Sequence, residues 1–145
     1  MERKVILFLD FDGVLHPDPP NHENPLFCRA ALLNECLLQH PEMAIVISST
    51  WRKTRTLNQL QALLPGWTDR IVGATSESSE PNYARQFECE QWMRENAQPW
   101  THWVCLDDRS WNFRPFEKRL ILVDGKTGLT SSNVEQLNAL VNRHQ

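Results

Sequence analysis

The residues best suited to chemistry in this chain come in three short groups: Asp10 and Asp12, Ser48 and Ser49, and Asp107 and Asp108. Each group directly follows an apolar run of strand length. Lys4-Val-Ile-Leu-Phe-Leu9 ends in Asp10-Phe-Asp-Gly13, Met43-Ala-Ile-Val-Ile47 in Ser48-Ser49, and Trp103-Val-Cys-Leu106 in Asp107-Asp108. Carboxylates held within a few ångströms repel one another and stay ionised only with a cation among them, and hard oxygen donors of this kind suit Mg²⁺. An aspartate in that setting can attack phosphorus. A second one two residues on can protonate the leaving oxygen and then activate water, while a hydroxyl after a neighbouring strand binds a phosphoryl oxygen. Asp-Gly is also a common turn dipeptide, so one acidic pair alone would read as turn chemistry. Two acidic pairs and a serine pair in the same relation to three strands are harder to dismiss. Neither G-x-x-x-x-G-K-[ST] nor G-x-G-x-x-G occurs, so a glycine loop cradling a nucleotide is not supported.

The elements that must position these residues follow from periodicity. Continuous apolar runs predict strands over 5–9, 43–47, 71–73, 103–106 and 120–123. Apolar residues at three- and four-residue spacing predict helices over 27–39 and 56–64, with Pro65-Gly66 as a stop. A third helix is expected from Pro81, in its first turn, to Asn96, and a last one from the S-x-x-E box Ser132…Glu135. The stretch HPDPPNHENP over 16–25 reads as an irregular loop. Strands alternating with helices imply a parallel, Rossmann-like α/β sheet of about five strands covered on both faces. Ligands of such sheets bind beyond the carboxyl ends of the strands, near the point where strand order reverses. All six polar residues would gather along that edge.

At 145 residues the chain predicts one domain over 1–145. A hydrophobic fraction of 41% with 23% charged residues excludes a disordered or fibrous chain. A net charge of −3 argues against nonspecific coating of nucleic acid or an anionic membrane. No apolar stretch is long enough to span a membrane, and Val5 to Leu9 is too short for a secretory segment. Cys28, Cys36, Cys89 and Cys105 lack zinc-site spacing and read as reduced thiols, so a cytoplasmic protein without structural zinc is expected.

Asp10-Phe-Asp-Gly-Val-Leu15 after an apolar strand resembles motif I of the haloacid dehalogenase superfamily of phosphotransferases, Ile47-Ser48 resembles its motif II, and Leu106-Asp107-Asp108 its acidic motif IV. The finer pattern includes Asp-Gly-Val-Leu-His-Pro17, Ser-Ser-Thr-Trp-Arg52, Arg85…Glu88…Trp92, Leu-Asp-Asp-Arg109 and Gly128-Leu-Thr130. It is similar to the haloacid-dehalogenase-like domain of Swiss Army Knife RNA repair proteins. The resemblance spans nearly the whole chain. It implies phosphatase chemistry through an aspartyl-phosphate, with Asp10 as nucleophile, Asp12 as general acid and base, Ser48 as phosphoryl ligand, and Mg²⁺ held by Asp10, the Asp12 carbonyl and the 107–108 pair. By analogy with related phosphatases, Asp108 is the direct ligand and Asp107 its orienting neighbour.

The superfamily usually supplies a lysine as motif III, yet Lys53 is the only lysine between Ser48 and Asp107. Arg85 is the substitute preferred here, since a guanidinium keeps the positive charge and suits phosphoryl oxygens. Arg52, four residues after Ser48, competes. Ser49 and Arg52 are the further candidates for substrate binding, and His16 reads as a hydrogen-bonding loop residue. The segments Gly13–Ile47 and Lys53–Leu106 leave no room for a cap domain, so the site should be open and should suit a phosphate on a larger molecule, such as an RNA or DNA end. Trp51, Trp111 and Phe113 would ring its rim, although packing beneath the sheet edge is as good a reading of Trp51. Arg52, Lys53 and Arg55 would meet backbone phosphates. A phosphoprotein or small-molecule phosphatase, or a non-catalytic binding module on the same fold, are the alternatives.

Overall fold

In the computed structural model, which describes residues 3–143, the apolar runs divide by parity. Val5, Leu7 and Leu9 of strand β1 (Val5–Leu9) join one buried cluster, while Ile6 and Phe8 join another. Strands β2 (Met43–Ile47), β3 (Ile71–Ala74), β4 (His102–Asp107) and β5 (Leu120–Leu122) complete a sheet of order β3-β2-β1-β4-β5. Every pairing is parallel. A strand buried on both faces needs no polar alternation, which is why these segments read as unbroken apolar runs.

One face is covered by α1 (Ala31–Gln39), α2 (Leu57–Leu63) and α4 (Ser131–Asn142), which supply Leu33, Leu37, Leu60, Leu137 and Val141 to the larger cluster. The other face is covered by α3 (Ala84–Asn96). There Cys89 packs with Phe8, Trp103, Cys105 and Phe113, and the Phe8 ring meets Trp92 and Trp103 edge-on at 5.9 and 5.5 Å. All four cysteines are free thiols. Among the described residues no cap stands over the carboxyl edge, and no helix is long and apolar enough to cross a membrane.

Three helix starts differ from the sequence pattern. The first helix begins at Ala31 rather than at residue 27, because Phe27 takes a left-handed backbone (φ 62°) that a helix cannot continue. The third begins at Ala84, since Tyr83 is likewise left-handed (φ 57°) and leaves Pro81 outside the first turn. The last is capped by Thr130 and Asn133, whose side chains bond each other's backbone N–H groups. Ser132 and Glu135 are therefore not its capping box: extended Thr130 precedes them and already satisfies the free N–H groups.

Candidate active site

The strand order reverses between β1 and β4, so the residues ending these two strands flank the crevice of the sheet. Asp10 follows β1, Ser48 follows β2, and Asp107 and Asp108 end or follow β4. Asp10, Asp107 and Asp108 each offer a carboxylate oxygen within 4.8 Å of the others. Burial pushes the Asp10 carboxyl well above the usual carboxylate range, and the neighbouring Asp107 adds to the rise while Arg85 opposes it. Burial likewise raises Asp107, against the pull of Arg85.

Arg85 is the counter-charge. It sits in the first turn of α3, where a cation is disfavoured by the helix dipole, and is held there by acid partners. Its Nη1 lies 2.6 Å from Asp107 Oδ2 and 3.7 Å from Asp10 Oδ1, and its Nε lies 3.7 Å from Glu88 Oε1. Burial alone would lower its pKa, but Asp107 and Asp10 outweigh that and raise it. Of the two arginines that could stand for the usual lysine, Arg85 reaches the carboxylates.

Arg52 is spent on the chain itself. Its Nε donates to the Thr75 carbonyl at 2.8 Å, its Nη1 to the Ser49 carbonyl at 3.0 Å, and its Nη2 pairs with Glu88 Oε2 at 2.9 Å. The guanidinium braces the loop after β2. Ser49, also expected to bind substrate, is buried, and its hydroxyl accepts the Trp51 N–H to cap the 3₁₀ turn Thr50–Lys53. Of the rim aromatics, Trp111 is 67% exposed, whereas Phe113 is buried against the α3 face. That part of the expectation is corrected: the extended backbone after the turn Ser110–Asn112 carries Phe113 inward. Trp51 is half-buried against Phe11 and Phe27, with Arg55 stacked 4.3 Å above it. Lys53 is paired with Glu77 at 2.9 Å.

Four buried polar atoms have no hydrogen-bond partner among the described residues: Ser48 Oγ, Thr75 Oγ1, Arg85 Nε and Asp108 Oδ1. Buried polar atoms are rarely left so, and such atoms are available to a substrate, an ion or water. Asp107 has both oxygens engaged, Oδ2 by Arg85 and Oδ1 by the Arg109 N–H at 2.9 Å, while Asp108 Oδ1 has none. An oxygen-rich, buried, under-neutralised cluster with an orphaned carboxylate oxygen fits a hard divalent cation. Within the 107–108 pair, Asp108 is the one with an unpaired oxygen. The Asp12 carboxylate stands outside this cluster, bound to His16 and Trp51.

Asp108 is seated between two glycines. A Cβ on Gly13 would lie 2.2 Å from Asp108 Oδ2 and one on Gly125 2.6 Å from it, and Gly13 is at φ 80°. Gly13→Ala should therefore displace the Asp108 carboxylate, on top of a backbone cost of about 1–2 kcal/mol. Thermal melts with and without Mg²⁺ should show the Mg²⁺-induced rise in Tm reduced or lost. Gly66→Ala, with nothing within 4 Å, is the control and should keep it. An undiminished rise in Gly13→Ala would place the cation away from Asp108.

Thr75 has no place in the sequence reading of the site, and Glu88 enters it only within the Arg85…Glu88…Trp92 pattern. Glu88 accepts the Ser78 N–H at 2.9 Å and joins Arg52 to Arg85. Its signal is the i, i+3 spacing from Arg85. Thr75 follows β3 at the same edge, as Ser48 follows β2, and that adjacency is its signal.

A five-stranded parallel sheet bearing this acidic edge defines a haloacid-dehalogenase-like α/β domain. The chain belongs to the family described as the HAD domain in Swiss Army Knife RNA repair proteins, whose model matches residues 6–134. Its function is accordingly of the haloacid-dehalogenase phosphatase type. No curated protein matches the chain closely enough to stand as a named relative.

Proposed function

We propose that the chain is a Mg²⁺-dependent phosphomonoesterase, a single cytoplasmic domain over 1–145, acting on the phosphorylated end of an RNA or DNA strand. The observation that carries the phosphatase reading is the pair of orphaned atoms, Ser48 Oγ and Asp108 Oδ1, at the edge where Asp10 and Arg85 meet. A hydroxyl donor for a phosphoryl oxygen and a carboxylate oxygen for a cation are what an incoming phosphate monoester and Mg²⁺ would satisfy. Asp10, Asp108 and the Asp12 carbonyl would hold the ion, which when bound neutralises the carboxylates and draws charge from the phosphoryl oxygens.

The Asp10 carboxylate attacks phosphorus, a bond from its oxygen to phosphorus forms, and the bond to the leaving oxygen breaks. Asp12 delivers a proton to that oxygen. Asp12, now a carboxylate, takes a proton from water, whose oxygen attacks the aspartyl-phosphate, releases phosphate and regenerates Asp10. Ser48 orients the phosphoryl group, and Arg85 balances the charge carried by Asp10 and Asp107.

The open edge and the exposed Trp111 beside it favour a large substrate, because an aromatic ring there can stack on a terminal base, worth roughly 1–3 kcal/mol. The family's occurrence in RNA repair proteins supports the same substrate class. A panel of 3′- and 5′-phosphorylated oligonucleotides, a phosphopeptide and an aryl phosphate, each with and without Mg²⁺, tests the reading. Mg²⁺-dependent phosphate release is expected, fastest from an oligonucleotide. Trp111→Ala should raise KM for the oligonucleotide about 5- to 150-fold if one stacked base is lost, and leave the aryl phosphate nearly unchanged. Equal effects on both substrates would remove the nucleic-acid part. Release unaffected by chelator would remove the metal.

A further inference from the structure

Asp12 follows β1 at this edge but lies outside the carboxylate cluster, and its side chain is 35% exposed. A half-exposed carboxylate rotates freely about its side-chain bonds unless something holds it, and proton transfer needs an oxygen held at a fixed angle to the leaving group. Two N–H groups hold this one. His16 Nε2 lies 2.8 Å from Asp12 Oδ1, and Trp51 Nε1 donates to Asp12 Oδ2 at 3.0 Å. With one donor on each oxygen the plane of the carboxylate is fixed, and each oxygen keeps a second lone pair to carry or receive the transferring proton.

The tautomer of His16 follows from its other nitrogen. The Phe27 N–H donates to His16 Nδ1 at 3.1 Å, so Nδ1 presents its lone pair and the ring hydrogen is on Nε2, aimed at Asp12. His16 is fully buried, with the Phe27 ring 5.4 Å and the Trp51 ring 6.2 Å away. Phe27 reaches it through the left-handed backbone that ends any helix there, a strained conformation for a residue with a side chain. Its ring also packs edge-on against Phe11 and Trp51, at 5.4 Å to each. A buried histidine, an indole N–H and a strained phenylalanine thus converge on one carboxylate.

We infer that His16 and Trp51 are positioning residues that hold Asp12 in its proton-transfer orientation, with Phe27 setting the His16 ring. The inference rests on the phosphatase reading of the edge. With no cap among the described residues to close over bound substrate, the orientation is built in beforehand.

The test is a double-mutant cycle read on two phosphates. His16→Leu, His16→Gln and Trp51→Phe are made alone and with Asp12→Asn, and assayed on an aryl phosphate with a good leaving group and an alkyl phosphate with a poor one. His16→Leu should lower kcat for the alkyl phosphate about 10- to 100-fold, less than the roughly 10²–10⁴-fold that a general acid itself contributes, with KM changed less than about 2-fold and the aryl phosphate much less affected. Trp51→Phe should act in the same direction, and His16→Gln, which keeps an N–H donor, should recover part of the loss. None should cost further activity in the Asp12→Asn background, because their effect runs through that carboxylate. Losses of equal size in that background, or equal for both leaving groups, would overturn the inference.

Should His16→Leu fail to fold, ¹⁵N NMR decides in the wild-type protein. The His16 ring should show the Nε2–H tautomer, and Asp12→Asn should shift both that resonance and the Trp51 indole N–H. Unmoved resonances overturn the contact. A wild type inert toward every phosphate removes the phosphatase reading and this role with it, whereas an active wild type with additive His16 losses removes the positioning role alone.

Discussion

Asp10→Asn should leave a folded protein with turnover reduced by about 10³-fold or more, because an amide cannot supply the attacking oxygen while keeping the shape of the side chain. Its carbonyl oxygen can still accept the Phe11 N–H that Asp10 Oδ1 accepts at 2.9 Å. The same change should alter the pH dependence of stability. Without metal, burial and Asp107 hold the Asp10 carboxyl well above its ordinary range, so between that range and the raised value the folded chain keeps a proton that the unfolded chain has released. Folded protein then binds more protons than unfolded, and stability falls as pH rises through this window. Asp10→Asn should flatten that fall, with Asp107, also raised, accounting for what remains. Urea titrations of the metal-free proteins across the window, beside kinetics on an aryl phosphate, measure both. Near-normal hydrolysis by the variant would sink the nucleophile, and an unchanged pH slope would sink the electrostatic account.

Arg85→Met should be the most destabilising single change at the edge. Removing one partner of a buried pair leaves its carboxylate uncompensated, typically at about 3–5 kcal/mol, and here both Asp107 and Asp10 lose their cation. Mg²⁺ should restore part of the loss by mass action, since it binds the folded state and supplies positive charge at the same carboxylates. Chemical denaturation with and without Mg²⁺ provides the measurement. A loss under about 1 kcal/mol without metal would mean that the acids are neutralised by other means, such as protonation. Turnover should fall as well, because Arg85 no longer balances the charge on the nucleophile.

The strands were legible because each is buried on both faces, and Asp10, Ser48 and Asp107 were legible because they stand where such strands stop. The helix starts at Ala31 and Ala84 were not, because left-handed Phe27 and Tyr83 carry side chains, and residue type alone gives no sign of such a backbone. That start determines which arginine meets the acids. The sequence offers both Arg85 and Arg52 as cations, and the entry of α3 directs the first to Asp107 while the loop carbonyls claim the second. Phe113 was misread because an aromatic beside a site looks the same in sequence whether it faces solvent or core. The link from Asp12 to Trp51 joins residues 39 apart and has no periodic signature.

The face covered by α3 has a consequence for how the molecule comes apart. This helix carries Arg85 and Glu88 at one end and packs Cys89 onto Phe8 and Cys105 further along. Any excursion that lifts it exposes the smaller of the two core clusters and, in the same event, strips the acidic edge of its cation and Arg52 of its Glu88 partner. Subglobal opening and loss of the site are then one cooperative transition. Amide protons along Ala84–Asn96 would exchange at the rate at which the molecule visits an inactive form.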